Sequence, residues 1–126
     1  MAQAPSLVLM IYSGPDYYEP GERALQDAQS FMNDGYIIRQ VFFYGPGTLY
    51  ANEHLEFPSG LLNLQGAWRA FSRNNKVPLV VCSTAGMQYG VRAEPPPIGN
   101  LAAGFVAGGL AEFVEQLSNA DQLHQY

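Results

Sequence analysis

Val77-Pro78-Leu79-Val80-Val81-Cys82 is an apolar run, and it reads as a strand buried on both faces. Pro78 has no N–H to give a sheet, so it belongs at the strand's start. Ser83-Thr84-Ala85-Gly86-Met87-Gln88-Tyr89 follows without a break and reads as a short helix. A strand that turns directly into a helix is the building block of α/β proteins.

The flanking sequence repeats the pattern. Leu7-Val8-Leu9-Met10-Ile11-Tyr12 is a second buried strand, closed by Ser13-Gly14-Pro15. Ile37 to Tyr44 is a third, closed by Gly45-Pro46-Gly47. From Gly21 to Asp34, Ala24, Leu25, Ala28, Phe31 and Met32 recur at the spacing of one helix face, with Gly35 placed as its C-cap. Leu61, Leu64, Trp68 and Phe71 mark another helix, ending at Asn74-Asn75. Leu110, Phe113, Val114 and Leu117 mark the last. Residues 45–60 read as a long loop with one helical turn near Tyr50–His54, and Glu94-Pro95-Pro96-Pro97 predicts an extended loop. The tail Asp121–Tyr126 is ambiguous by pattern and fits a short strand. Alternating strands and helices predict one α/β domain over residues 1–126, a parallel sheet covered by helices on both faces. Ligands and chemistry gather at the carboxyl ends of such strands. Three loops lie there: Ser13–Pro20, Gly45–Gly60, and Cys82 with the residues after it.

The chain has 126 residues, enough to bury roughly two thirds of its unfolded surface without a disulfide or metal. Charged residues make up only 13%, against a usual ~25%, which leans toward surface hidden in an oligomer. Net charge is −5, and the six Lys and Arg residues are scattered from Arg23 to Arg92. Direct nucleic-acid binding is therefore not expected, and a basic protein partner suits the chain better. Met1–Ser6 carries no Lys or Arg, and no stretch approaches the ~20 apolar residues of a membrane span. A cytoplasmic protein that does not engage membranes is expected.

One cysteine excludes an internal disulfide and any Cys-rich zinc site. At a strand-to-helix junction, the Cys82 thiolate would face unpaired N–H groups and the positive end of a helix dipole, which favour the anion. Ser83 and Thr84 are possible added donors. A free cysteine also commonly just packs, and position alone leaves both readings open. The loop Ser13–Gly21 carries Asp16 and Glu19 and has neither a Walker nor a GxGxxG spacing, so a phosphate or nucleotide site is not expected. Gly104–Gly109 lacks dinucleotide spacing too. His54 and His124 have no metal-ligand neighbours, and whether His54 or Arg92 lies near Cys82 is not readable. Tyr12, Tyr17, Tyr18, Tyr44 and Tyr50 cluster near strand ends, as a contact surface or as ordinary packing.

Three segments resemble the DsrE/TusD family of sulfur-relay proteins. They are Ser13-Gly14-Pro15 before a helix, Val41-Phe42-Phe43-Tyr44 with Gly47, Ala51 and Asn52, and Val80-Val81-Cys82 with Gly90-Val91 beyond. The resemblance implies a three-layer α/β/α fold with a mostly parallel five-stranded sheet, the tail forming its last strand. It implies Cys82 as the persulfide-bearing residue, with sulfur donor and acceptor proteins and homologous subunits as partners. It implies no metal or organic cofactor. TusD-type members pass sulfur toward 2-thiouridine at tRNA wobble positions; DsrE-type members act in dissimilatory sulfur oxidation. A structural subunit with an inert cysteine and an unrelated α/β enzyme using Cys82 as nucleophile are the alternatives. Where the family usually carries a basic pair after the cysteine, this chain has none, and Arg92 is the nearest positive charge.

Overall fold

A computed structural model describes residues 4–126, so the first half of the Met1–Ser6 reading lies outside the described residues. The chain runs β1 (Ser6–Ile11), α1 (Tyr18–Asn33), β2 (Ile37–Phe43), a 3₁₀ segment (Gly45–Ala51), α2 (Leu64–Asn75) and β3 (Leu79–Cys82). It continues through α3 (Ser83–Gln88), β4 (Phe105–Gly108), α4 (Leu110–Ser118) and β5 (Gln122–Gln125). The five strands form one sheet in the order β4-β3-β2-β1-β5, and every pairing is parallel. Crossovers between parallel strands are right-handed, so helices swap faces when the chain reverses its march across the sheet. The march goes from β1 to β4 and then returns past β1 to β5, which puts α1 and α2 on one face and α4 on the other.

Side chains on a strand alternate between faces, and the buried residues follow that rule. Leu7, Leu9, Ile11, Val41, Phe43, Leu79 and Val81 pack with Ala24, Leu25 and Ala28 of α1 and Leu64, Trp68 and Phe71 of α2. Val8, Phe42, Val80 and Cys82 point the other way and meet Ala85 and Phe113. Trp68 lies edge-on to Phe43 and Phe71, with ring centroids 6.0 and 5.7 Å away.

Local chemistry sets the element ends. α1 stops in a Schellman motif: Gly35 N–H donates to Met32 O (3.2 Å), and Tyr36 N–H to Phe31 O (3.0 Å). Gly35 takes φ +86°, and the Tyr36 ring closes on Phe31 at 5.1 Å. α2 starts at Asn63, whose side chain accepts from Gly66 N–H, and ends on Lys76 in the left-handed region.

Three expectations need correction, and one strand was not expected from pattern. The 3₁₀ segment begins at Gly45, earlier than the single turn expected near Tyr50–His54, and it is no open loop, since Thr48, Tyr50 and Ala51 are buried. Gly47 makes this possible: it passes so close to the Ile11 carbonyl that a Cβ would overlap it. Leu61 is exposed and precedes α2. Glu94–Pro97 is a turn, because Gly99 N–H returns to Pro95 O (3.1 Å). Finally, β4 carries no sequence signal. Phe-Val-Ala-Gly between glycines shows neither a long apolar run nor clean alternation, yet it pairs with all of β3.

Candidate functional site

Cys82 is the last residue of β3, opposite Gly108 of β4, and the N-cap of α3. The turn leaves it 2% exposed, on the same face as Val80 and Phe113. Gly108 fits this crowded corner because a Cβ there would stand 2.7 Å from Val80 Cγ1. α3 has only six residues, and the Cys82 side chain makes no capping hydrogen bond. Ser83 Oγ is committed elsewhere, donating to Gly108 O at 3.3 Å. Thr84 points outward, exposed.

Cys82 nevertheless borders free space. A cavity of about 70 Å³ is lined by Cys82, Ser83, Met87, Val91, Glu94 and Leu101 among others. A water molecule's share of liquid volume is ~30 Å³, so the cavity has room for a sulfur atom beyond Sγ. Most of its outer wall is the segment from Met87 to Leu101, and one residue fastens that wall. Asn100 Oδ1 accepts from Arg92 N–H (2.8 Å), and Asn100 Nδ2 donates to Gly90 O (2.8 Å). The Asn100 backbone adds N–H to Arg92 O (3.0 Å) and accepts at its own carbonyl from Glu53 N–H (2.8 Å). Three of these bonds tie the segment's two arms together, and the fourth ties it to Glu53.

Charge at the wall is balanced within it. Arg92 Nε and Nη2 both donate to Glu94 Oε2, at 3.0 and 2.6 Å. That hydrogen-bonded guanidinium holds the Glu94 carboxyl below its usual range. Arg92 is therefore near the cysteine's cavity but already engaged. His54 is exposed, lies 3.3 Å from Glu53 Oε1, and does not line the cavity. The tyrosines split: Tyr50 is fully buried, Tyr12 and Tyr17 are exposed, and Tyr18 donates its hydroxyl to Leu62 O at 2.9 Å. Asn100 had no sequence signal. Its role depends on a turn that brings residues 92 and 100 together.

An all-parallel five-stranded sheet with helices on both faces and a lone cysteine at the carboxyl end of an inner strand defines a class of α/β proteins with a narrow thiol site. Within that class the chain belongs to the DsrE/DsrF-like family, whose model matches residues 6–125. It is 30% identical over 124 residues to the sulfurtransferase TusD of Pectobacterium carotovorum subsp. carotovorum, covering 93% of this chain and 96% of that one. It is 36% identical over 108 residues to the sulfurtransferase TusD homolog of Pasteurella multocida, covering 82% and 85%. The crystal structure of the ychN protein from E. coli shares the fold, with a TM-score of 0.79 at 17% identity over 98% of this chain and 100% of that one. Among the described residues, no helix is long and apolar enough to cross a membrane.

Proposed function

We propose that this chain is a sulfur-relay subunit that accepts persulfide sulfur on Cys82 and passes it to a partner protein. The observation that carries the reading is the cavity at Cys82, which can take one added sulfur at the carboxyl end of β3. Family membership and the sulfurtransferase relatives support it. The Cys82 thiolate attacks the terminal sulfur of a donor persulfide; a new S–S bond forms on Cys82, and the donor leaves as a thiolate. An acceptor thiolate then attacks that terminal sulfur and releases the Cys82 thiolate, with no net oxidation. Likeness to the TusD relatives favours delivery toward tRNA 2-thiouridine over sulfur oxidation. The RNA itself need not touch this acidic chain. A homologous subunit is the natural cover for Val106 on the edge strand and for Leu110 and Val114, one turn apart on α4, which are 54%, 47% and 57% exposed.

The burial of Cys82 favours a second reading, in which the thiol is inert and the chain is a structural subunit. One experiment separates the two. The protein is incubated with a cysteine desulfurase, cysteine and a persulfide carrier, and intact mass is recorded. The relay requires a gain of ~32 Da that reductant removes, since thiolate and persulfide exchange. It also requires no gain in Cys82→Ser. An unchanged wild-type mass establishes the structural reading.

A further inference from the structure

A second feature, unrelated to sulfur, lies toward the other end of β4. Of the six Lys and Arg side chains, Arg23 and Arg92 pair with carboxylates, and Arg39 donates to Gln116 at 3.0 Å. The other three are Arg69, Arg73 and Lys76, on α2 and its C-cap. Among the described residues, their side chains have neither an ion pair nor a hydrogen bond. Arg73 and Lys76 are exposed near the carbonyl end of the helix, where the dipole favours a cation. Arg69 is different. It lies a turn further in and is half-buried, and a guanidinium taken partly out of water usually has a partner.

Its surroundings have the form of a groove. A concavity of about 390 Å³ runs between α2 and the turn before β4, lined by Gly66, Arg69, Ala70, Arg73, Ala103 and Gly104. Apart from the arginines the lining side chains are small; Ser72 completes the lining, and its hydroxyl already donates to Val77 O at 2.6 Å. Gly104 has φ +91°, and a Cβ there would press to 3.1 Å from Arg69 Cγ and 3.2 Å from Cδ. The Arg69 stem therefore rests directly on the glycine backbone, which seats it with its fork unengaged. Arg73 follows at i+4, on the same helix face. Gly104 precedes β4, whereas Gly108, opposite Cys82, ends it. The groove is thus distinct from the thiol cavity.

We infer that this groove docks an acidic segment of a partner protein, with Arg69 and Arg73 each taking a carboxylate. Arginine forks match carboxylates in bidentate fashion, and the two here are spaced as carboxylates four residues apart on a helix are spaced. A nucleic acid is a poorer occupant, because two arginines are not the clustered basic patch that a run of phosphates needs, whereas two carboxylates need only two. The inference does not depend on sulfur transfer, and neither does its test.

The probe is a short, alanine-based, fluorescein-labelled helical peptide with two glutamates four residues apart, titrated with the whole protein at low ionic strength and followed by anisotropy. Saturable binding is expected. It should weaken by about tenfold or more in Arg69→Gln/Arg73→Gln, as expected for lost charge-assisted hydrogen bonds. It should also weaken with added salt. Arg23→Gln, which alters a cation already paired, should bind as the wild type does. Circular dichroism checks that each variant is folded; if the double variant is not, Arg73→Gln alone, at an exposed position, must show the weakening. Four results would overturn the inference: no saturable binding, equal binding of the glutamine version of the peptide, no loss in the arginine variants, or preference for inorganic phosphate or a short RNA over the peptide.

Discussion

Beneath α1 and α2, the sheet presents Leu7, Leu9, Ile11, Val41, Phe43, Leu79 and Val81 to a full layer that includes Trp68, Phe71 and the 3₁₀ residue Tyr50. Beneath α4, it presents Val8, Phe42, Val80 and Cys82 chiefly to Phe113, which stacks on Phe42 at 4.3 Å. The strands are the same, and only the cover differs. Two long amphipathic helices seal the first face, whereas one nine-residue helix and Ala85 of the short α3 seal the second. Local opening draws on regions with few apolar contacts, so the second face can yield while the first stays closed. The cysteine is on the face that can yield.

Trp68→Ala should produce the largest change. It empties the centre of the thick face and should cost about 3–5 kcal/mol in urea unfolding. Below the unfolding transition, thiol labelling of Cys82 should stay slow. Rapid labelling there would mean that the two faces do not open independently. Phe113→Ala, on the thin face, should cost less, near the low end of about 3–5 kcal/mol, because α4 can settle toward the sheet. Its mark should be faster alkylation of Cys82 under native conditions, and an unchanged rate would remove α4 from the barrier around the thiol. Asn100→Ala should cost about 1 kcal/mol, since it removes two exposed side-chain hydrogen bonds that hold the turn. It too should speed alkylation, this time through the loop, with little change to the core.

The smallest effect belongs to the rim of the thick face, where Tyr126 donates its hydroxyl to Asp27 Oδ2 at 2.6 Å. Burial and that hydrogen bond push the Tyr126 phenol well above its ordinary pKa. On raising the pH past ~10, the unfolded chain therefore loses this proton before the folded one does, and stability falls. Below that range the contribution is fully present. Tyr126→Phe should shrink the alkaline loss without abolishing it, because burial also raises the Tyr50 phenol. An alkaline transition identical to wild type would show that Tyr126 is not part of it.

Much of the fold is legible in the sequence. β1, β2 and β3 announced themselves as apolar runs, and the face of α1 and its Gly35 cap followed from spacing. β5 did not, because Gln-Leu-His-Gln is held by backbone pairing to β1 and buries almost nothing. β4 was invisible for the same reason: edge strands need not carry a buried side chain at every second position. At the site, the position of Cys82 was legible and its environment was not. Its burial comes from Val80, Ala85 and Phe113, and the Asn100 fastening from a turn that joins residues 92 and 100, none of which a local pattern encodes. The short helix after Cys82 is where the sequence places it, with Cys82 at its N-cap.

The cavity beside Cys82 has a kinetic consequence. At about 70 Å³ it is too small to admit two partner side chains at once. For the proposed relay, donor and acceptor must then take turns at a single doorway, and the charged subunit must exist as a free species between visits. Initial rates measured against both partners should give the parallel double-reciprocal lines of a ping-pong exchange, and a ternary complex should never accumulate. The narrowness that hides the thiol would thus set the order of traffic.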